Sequence, residues 1–129
     1  MVDSMAVQAG RDQVVIVDDD DSMRDALAGL LKAVGLPAHA FPSAEDYLQS
    51  GSQYQTACLI ADIRMPGISG LELQARLNAE NCCIPTIFIT AHGDEALRLQ
   101  ALRAGAVEFL TKPFDDKTLL ECVWAALKP

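Results

Sequence analysis

A doubly wound α/β domain, with a five-stranded parallel sheet and five helices, is the fold class this sequence predicts. Two observations carry the prediction. Short apolar runs bounded by turn residues alternate with helically spaced apolar residues from end to end. Each such pair reads as a strand followed by a helix, and five of them imply a parallel sheet covered on both faces. Length agrees, because 129 residues fit one domain and 50% hydrophobic residues suffice for a core.

The elements follow in order. Gln13 to Val17 is a β-branched run stopped by Asp18-Asp19-Asp20-Asp21. Met23, Ala26, Leu27, Leu30, Leu31 and Val34 then recur at helical spacing, and Gly35 closes that helix. Pro37 to Phe41 is a weak strand, and Ser43 suits the cap of a short helix through Leu48. Ala57 to Ala61 is a buried-strand run that ends at Asp62. A Pro/Gly-rich loop from Arg64 to Gly70 leads into a helix holding Leu73 and Leu77. Pro85 to Thr90 is the fourth strand, and a helix runs from about Asp94 to Arg103. Ala106 to Thr111 is the fifth strand. The last helix carries Leu119, Leu120, Val123, Trp124 and Leu127 on one stripe, with Trp124 expected to pack rather than to anchor a ligand. Residues 1–12 read as a flexible tail, leaving 13–129 as the domain.

Charge narrows the function classes. Ten Lys+Arg against eighteen Asp+Glu give a net charge of −8, which repels phosphate backbones and anionic membranes. Direct nucleic-acid binding by this domain is therefore not expected. The longest apolar stretches fall far short of the ~20 residues that span a bilayer. The first twelve residues also lack the apolar run of a signal peptide, so the expected compartment is the cytoplasm. Cys58, Cys82, Cys83 and Cys122 form no CxxC pair, and His39 and His92 are the two histidines, so reduced structural cysteines are expected rather than zinc. No function attaches to the vicinal pair Cys82-Cys83.

In a doubly wound sheet the ligand site lies at the carboxyl ends of the strands. Here the first strand ends in four aspartates, the third in Asp62, the fourth in Thr90 and the fifth in Thr111-Lys112-Pro113. The first and third strands are neighbours in such a sheet, so Asp18, Asp19 and Asp62 can converge. Two unit charges about 4 Å apart repel by about 4 kcal/mol at an effective dielectric near 20. Three converging carboxylates therefore need a cation or must take up protons. Hard oxygen ligands with room for water suit Mg²⁺. Lys112 offers a fixed positive charge on the other side, and Asp62 is the candidate nucleophile for an acyl phosphate. Taken singly, each feature has a plainer explanation: aspartates before a helix are often solvated caps, a role that suits Asp20 and Asp21. Acid, acid, hydroxyl and amine at four different strand ends favour one joint site.

These residues carry a family resemblance. Val14-Val15-Ile16-Val17-Asp18-Asp19-Asp20, Ala61-Asp62-Ile63-Arg64-Met65-Pro66-Gly67-Ile68-Ser69-Gly70, Ile89-Thr90-Ala91-His92-Gly93-Asp94 and Gly105-Ala106-Val107-Glu108-Phe109-Leu110-Thr111-Lys112-Pro113-Phe114 occur in that order. Together they resemble the receiver domain of bacterial two-component response regulators, from Gln13 to Leu127, and look most like the FixJ-type branch. The resemblance implies a flavodoxin-like fold with strand order 2-1-3-4-5. It implies that Asp62 accepts a phosphoryl group from a sensor histidine kinase. Asp18, Asp19, Asp62 and the backbone carbonyl of Arg64 would hold Mg²⁺, for which Mn²⁺ could substitute. Thr90 would be the switch hydroxyl and Phe109 the switch aromatic, where the family often has Tyr or His. Lys112 would contact a phosphoryl oxygen, with the Lys112–Pro113 bond cis. Arg64 and His92 occupy positions that tune phosphoryl lifetime. The domain would catalyse only its own phosphorylation and dephosphorylation. A phosphorylation-dependent homodimer and a DNA-binding output of the LuxR helix-turn-helix type, absent here, would complete a transcription regulator of which this is the N-terminal part.

Two other readings compete. Asp18-Asp19-Asp20-Asp21-Ser22 nearly fits the nucleophile motif of haloacid-dehalogenase-type phosphatases, with Asp18 as nucleophile and Asp20 as general acid. That reading leaves Asp62 and its Met-Pro-Gly loop without a role. A flavodoxin-like flavin module would place phosphate after the first strand, where four carboxylates repel it.

Overall fold

A computed structural model describes residues 11–91 and 93–128. Among them the chain forms β1 (Gln13–Val17), α1 (Asp21–Ala33), β2 (Ala38–Phe41), α2 (Ala44–Ser50), a 3₁₀ turn (Ser52–Tyr54), β3 (Thr56–Asp62), α3 (Gly70–Ala79), β4 (Thr86–Thr90), α4 (Glu95–Arg103), β5 (Glu108–Thr111) and α5 (Asp116–Leu127). The strands pair in parallel in the order β2-β1-β3-β4-β5. This is the fold and strand order the sequence implied. Of the expected N-terminal tail, residues 1–10 lie outside the described residues. No helix among the described residues is long and apolar enough to cross a membrane.

Strand alternation divides the core into two layers. Val15, Val17, Leu59, Ala61 and Phe88 point to the face covered by Ala44 and Tyr47 of α2, Leu73 and Leu77 of α3, and Ala101 of α4. Val14, Ile16, Cys58, Ile60, Ile87 and Ile89 point to the opposite face, covered by Leu27 and Leu31 of α1 and Leu119 and Val123 of α5. Burial on both faces explains why β1, β3 and β4 read as continuous apolar runs rather than as alternating ones.

Local chemistry sets the element ends. Asp20 caps α1, its carboxylate accepting from the amides of Ser22 (2.9 Å) and Met23 (3.3 Å). Asp21 lies in the first turn and pairs with Arg24. Ser43 caps α2 by accepting from Asp46 N (3.1 Å). Ser69 and Glu72 form a reciprocal capping box that starts α3.

Four expectations need correction. Trp124 does not pack into the core but is 45% exposed. The buried stripe of α5 centres on Leu119 and Val123, and Trp124 lies one residue, about 100° of helix rotation, beyond it. The fifth strand begins at Glu108 rather than Ala106, because the Ala106 N–H is spent on the Ala101 carbonyl at the end of α4 (3.0 Å). The second begins at Ala38 and the fourth at Thr86, rather than at Pro37 and Pro85, since proline has no N–H to give a ladder. All four cysteines are free, with Cys58 and Cys82 buried. Burial pushes the Cys58 thiol up to about 12, so it behaves as an apolar core residue.

Candidate functional site

The carboxyl ends of β1, β3, β4 and β5 form one edge of the sheet, and polar residues concentrate there. Asp18 directly follows β1 and has no exposed surface. Asp62 ends β3 and is 8% exposed. Asp18, Asp19 and Asp62 each bring a carboxylate oxygen within 4.8 Å of the others, with Asp19 the exposed member. Lys112, immediately after β5, places its Nζ 3.6 Å from Asp18 Oδ2 and 3.6 Å from Asp62 Oδ2. Its backbone is held by a hydrogen bond from Lys112 N to Thr90 O (2.7 Å), and the Lys112–Pro113 peptide is cis, as implied.

Three carboxylates thus converge, and one ammonium stands against two of them. Burial is the largest influence on Asp18 and pushes its carboxyl above the usual range, and the charges of Asp62 and Asp19 push the same way. The Asp20 amide, which donates to Asp18 Oδ1 at 2.9 Å, and Lys112 pull it back only in part. Asp18 Oδ2 is buried with no hydrogen-bond partner. A solvent-excluded carboxylate oxygen left over beside two further carboxylates is the donor set that a hard divalent cation satisfies. The residues present therefore fit such an ion.

The remaining sequence candidates are placed as follows. Arg64 is exposed in the loop after β3, and its backbone N–H donates to Asp62 Oδ1 (3.1 Å). Thr90 ends β4, is fully buried and lies beside Thr111 in register. Phe88 pairs with Phe109, so Thr90 and Phe109 share one face of adjacent strands. Phe109 is buried (7% exposed) against the layer that contains Phe88, Ala101 and Ala106. The expectation for His92 lies outside the described residues.

Sequence reasoning missed several supports. Arg24 donates from Nη1 to the Asp18 carbonyl (2.7 Å), tying α1 to the end of β1. Gly70 approaches β3 so closely that an added Cβ would run into the Asp62 carbonyl oxygen. Only the Ser69–Glu72 box had a legible signal, as a Ser-x-x-Glu pattern before an apolar run. Asp20 meanwhile caps α1 through its Oδ1, the plainer role the sequence suggested for it.

Known proteins match this arrangement. Residues 14–123 match the family model of the response regulator receiver domain. Nodulation protein W of Bradyrhizobium diazoefficiens is 50% identical over 113 residues, which cover 88% of this chain and 50% of that protein. The transcriptional regulatory protein FixJ of Azorhizobium caulinodans is 44% identical over 114 residues, covering 88% and 54%. This chain spans about half the length of the curated relatives it matches. Among solved structures, the response regulator StyR superposes with a TM-score of 0.83 at 44% identity, covering 89% of this chain and 58% of that one. The FixJ N-terminal fragment gives 0.81 at 36% identity, covering 91% and 94%. The chemotaxis protein CheY4 of Vibrio cholerae, 23% identical with a TM-score of 0.81, shares the fold. With the family model matching most of its length and the FixJ N-terminal fragment matched over nine-tenths of both chains, the chain belongs to the response regulator receiver domains, signalling modules of the FixJ-type branch.

Proposed function

We propose that this domain is a phosphorylation-driven switch whose phosphoacceptor is Asp62. The observation that carries the reading is the convergence of Asp18, Asp62 and Lys112, with Lys112 Nζ 3.6 Å from an oxygen of each carboxylate and no hydrogen bond made by the buried Asp18 Oδ2. Asp18, Asp19, Asp62 and the Arg64 carbonyl would hold Mg²⁺. When bound, the ion neutralises carboxylate charge and the charge of an incoming phosphoryl group. Asp62 attacks phosphorus of a phosphohistidine on the partner kinase. The new P–O bond forms as the P–N bond breaks, and the departing imidazole takes a proton from solvent. Lys112 orients the phosphoryl group by pairing with one of its oxygens. Hydrolysis reverses the loading: water attacks phosphorus, Asp62 leaves as carboxylate, and inorganic phosphate departs. Arg64, exposed and two residues after Asp62, would influence how water reaches that centre.

Phosphorylation adds charge and acceptor oxygens next to Thr90, and Phe109 on the same sheet face would carry the change to α4, β5 and α5. The kinase, a dimer mate and a LuxR-type DNA-binding output domain are the partners this reading implies, in the cytoplasm, with transcription as the output. Residues 13–129 would form the switch unit and residues 1–12 a tail.

The test is intact mass after incubation with acetyl phosphate, with and without Mg²⁺, for wild type and Asp62→Asn. A Mg²⁺-dependent, base-labile adduct of one phosphoryl group is expected, lost in Asp62→Asn. An adduct that survives the substitution would move the nucleophile to Asp18. That residue has no exposed surface, which favours Asp62.

A further inference from the structure

The loop that follows Asp62 must place the Arg64 carbonyl, yet most of its restraints are local. Arg64 N–H donates back to Asp62 Oδ1 (3.1 Å), Ser69 N–H to Glu72 Oε1 (3.4 Å), and Gly70 N–H to the Ile63 carbonyl (2.9 Å). Among the described residues, one hydrogen bond reaches the backbone of residues 64–69 from outside β3, the loop and α3. It runs from Ile68 N–H to Glu45 Oε2 (3.3 Å), across 23 residues of sequence from the first turn of α2.

The contact is built on both sides. Glu45 lies over Gly67, whose φ of +75° places it in the left-handed region, and an added Cβ there would strike the Glu45 carboxylate. The second oxygen, Glu45 Oε1, is buried without a hydrogen-bond partner. A carboxylate held in such a place at the expense of an unmade hydrogen bond needs a reason. The plain one is charge at a helix N-terminus. However, Asp46 supplies a negative charge in the same turn and Ser43 already caps α2, so neither role requires Glu45 to face the loop. Beneath the contact, Ala44 and Tyr47 of α2 share one buried layer with Ile63 and Met65, with Ile68 packed against it, so α2 and the loop are joined through the core as well.

We infer that Glu45 is a positioning residue for the cation site: its carboxylate holds the Pro66-Gly67-Ile68 turn and thereby the Arg64 carbonyl. The inference rests on the reading of Asp18, Asp19, Asp62 and the Arg64 carbonyl as that site. Outer partners of metal ligands typically change affinity about 10- to 100-fold when removed. A single amide tie one peptide turn from the ligand belongs at the low end of that range.

The experiment is a calorimetric titration of Mg²⁺ into the full chain, comparing wild type with Glu45→Ala, Glu45→Gln and, as a site control, Asp19→Asn. Amide hydrogen exchange of the metal-free proteins is measured alongside. Glu45→Ala should raise the Mg²⁺ dissociation constant about tenfold, whereas Glu45→Gln, which keeps an acceptor for Ile68, should stay within about twofold. Exchange should quicken at residues 64–68 in Glu45→Ala and not in β1 or β4. Unchanged affinity in Glu45→Ala, or an equal loss in Glu45→Gln, overturns the inference. So does faster exchange spread evenly over the sheet, which marks a structural role alone. If Glu45→Ala does not fold, Glu45→Asp, which withdraws the carboxylate by one methylene, takes its place with the same criteria. Wild type that binds no Mg²⁺, or Asp19→Asn that binds it fully, refutes the site reading itself. Wild-type binding that is lost in Asp19→Asn and intact in Glu45→Ala refutes only the role of Glu45.

Discussion

The two ends of the sheet are built from opposite chemistry. At the carboxyl end three carboxylates crowd together, Lys112 stands against two of them, and the buried Asp18 Oδ2 has no hydrogen bond. At the amino end β1, β3 and β4 begin with the neutral polar residues Gln13, Thr56 and Thr86, and most of their side-chain groups are paired nearby. The Gln13 amide donates to the Gln55 side chain (3.0 Å), Tyr47 OH and Thr56 Oγ1 share a hydrogen bond (2.7 Å), Thr56 Oγ1 donates to Ser52 O (2.7 Å), and Thr86 Oγ1 to Ile84 O (2.9 Å). Both ends are polar. The difference is that one end is knitted by neutral hydrogen bonds, with Gln13 Oε1 a buried exception, whereas the other concentrates like charge, which is how a ligand site differs from a structural seam.

That contrast can be broken by experiment, and the largest effect is expected at the charged end. Saturating Mg²⁺ should raise the stability of the wild type, by about 2.7 kcal/mol at a hundredfold excess over Kd. Asp19→Asn should start more stable than wild type in metal-free buffer, because one of three like charges is gone, and should gain little from Mg²⁺. Thermal melts with and without the ion check both halves. A full Mg²⁺ shift in Asp19→Asn would place the ion elsewhere.

Next is Gly70→Ala, where a Cβ meets the Asp62 carbonyl oxygen and backbone must yield to backbone. We expect a loss of about 2 kcal/mol in denaturant melts, within the usual range for overpacking. Gly29, with nothing within 4 Å of its Cβ position, is the control whose alanine variant should not destabilise.

The neutral end responds differently. Tyr47→Phe removes one side of the bond to Thr56 and should lower stability by about 1 kcal/mol while leaving the Mg²⁺ shift intact. Burial holds the Tyr47 hydroxyl at about 12 against an ordinary 10, outweighing the Thr56 bond that lowers it. Between those values the unfolded chain releases a proton that the folded chain keeps, so stability falls as pH rises. The deficit of Tyr47→Phe should therefore be full at pH 7 to 9 and shrink from about pH 10 toward 12 in urea melts. A constant deficit would mean that the hydroxyl titrates normally.

Trp124→Ala should have the smallest effect, within about 0.5 kcal/mol, because the ring is 45% exposed outside the α5 stripe. A loss above 2 kcal/mol would restore it to the core.

Much of the site was legible because each strand announces its own carboxyl end. An apolar run stops where the chain leaves the sheet, so Asp18, Asp62, Thr90 and the Thr111-Lys112 pair stood out as the polar residues that end four such runs. Their convergence then followed from parallel pairing alone. Trp124 was misplaced because a stripe of five apolar residues is wider than the face a helix buries, and the sequence does not say which edge stays wet. Glu45 was invisible for another reason. Nothing in Ser43-Ala44-Glu45-Asp46 separates a carboxylate that serves the helix from one that reaches across 23 residues to a loop.

The sequence by itself determined the alternation of strand and helix, the two-sided core and the identity of the residues at the charged edge. These depend on period and composition, which are local properties of the chain. Only the tertiary structure decided that Lys112 stands equidistant from Asp18 and Asp62, that Phe109 is buried on the face it shares with Thr90, and that Glu45 rather than Asp46 meets the loop. Those outcomes depend on how separate elements are packed against one another, and packing is settled by shape and burial across the whole fold rather than by any stretch of sequence.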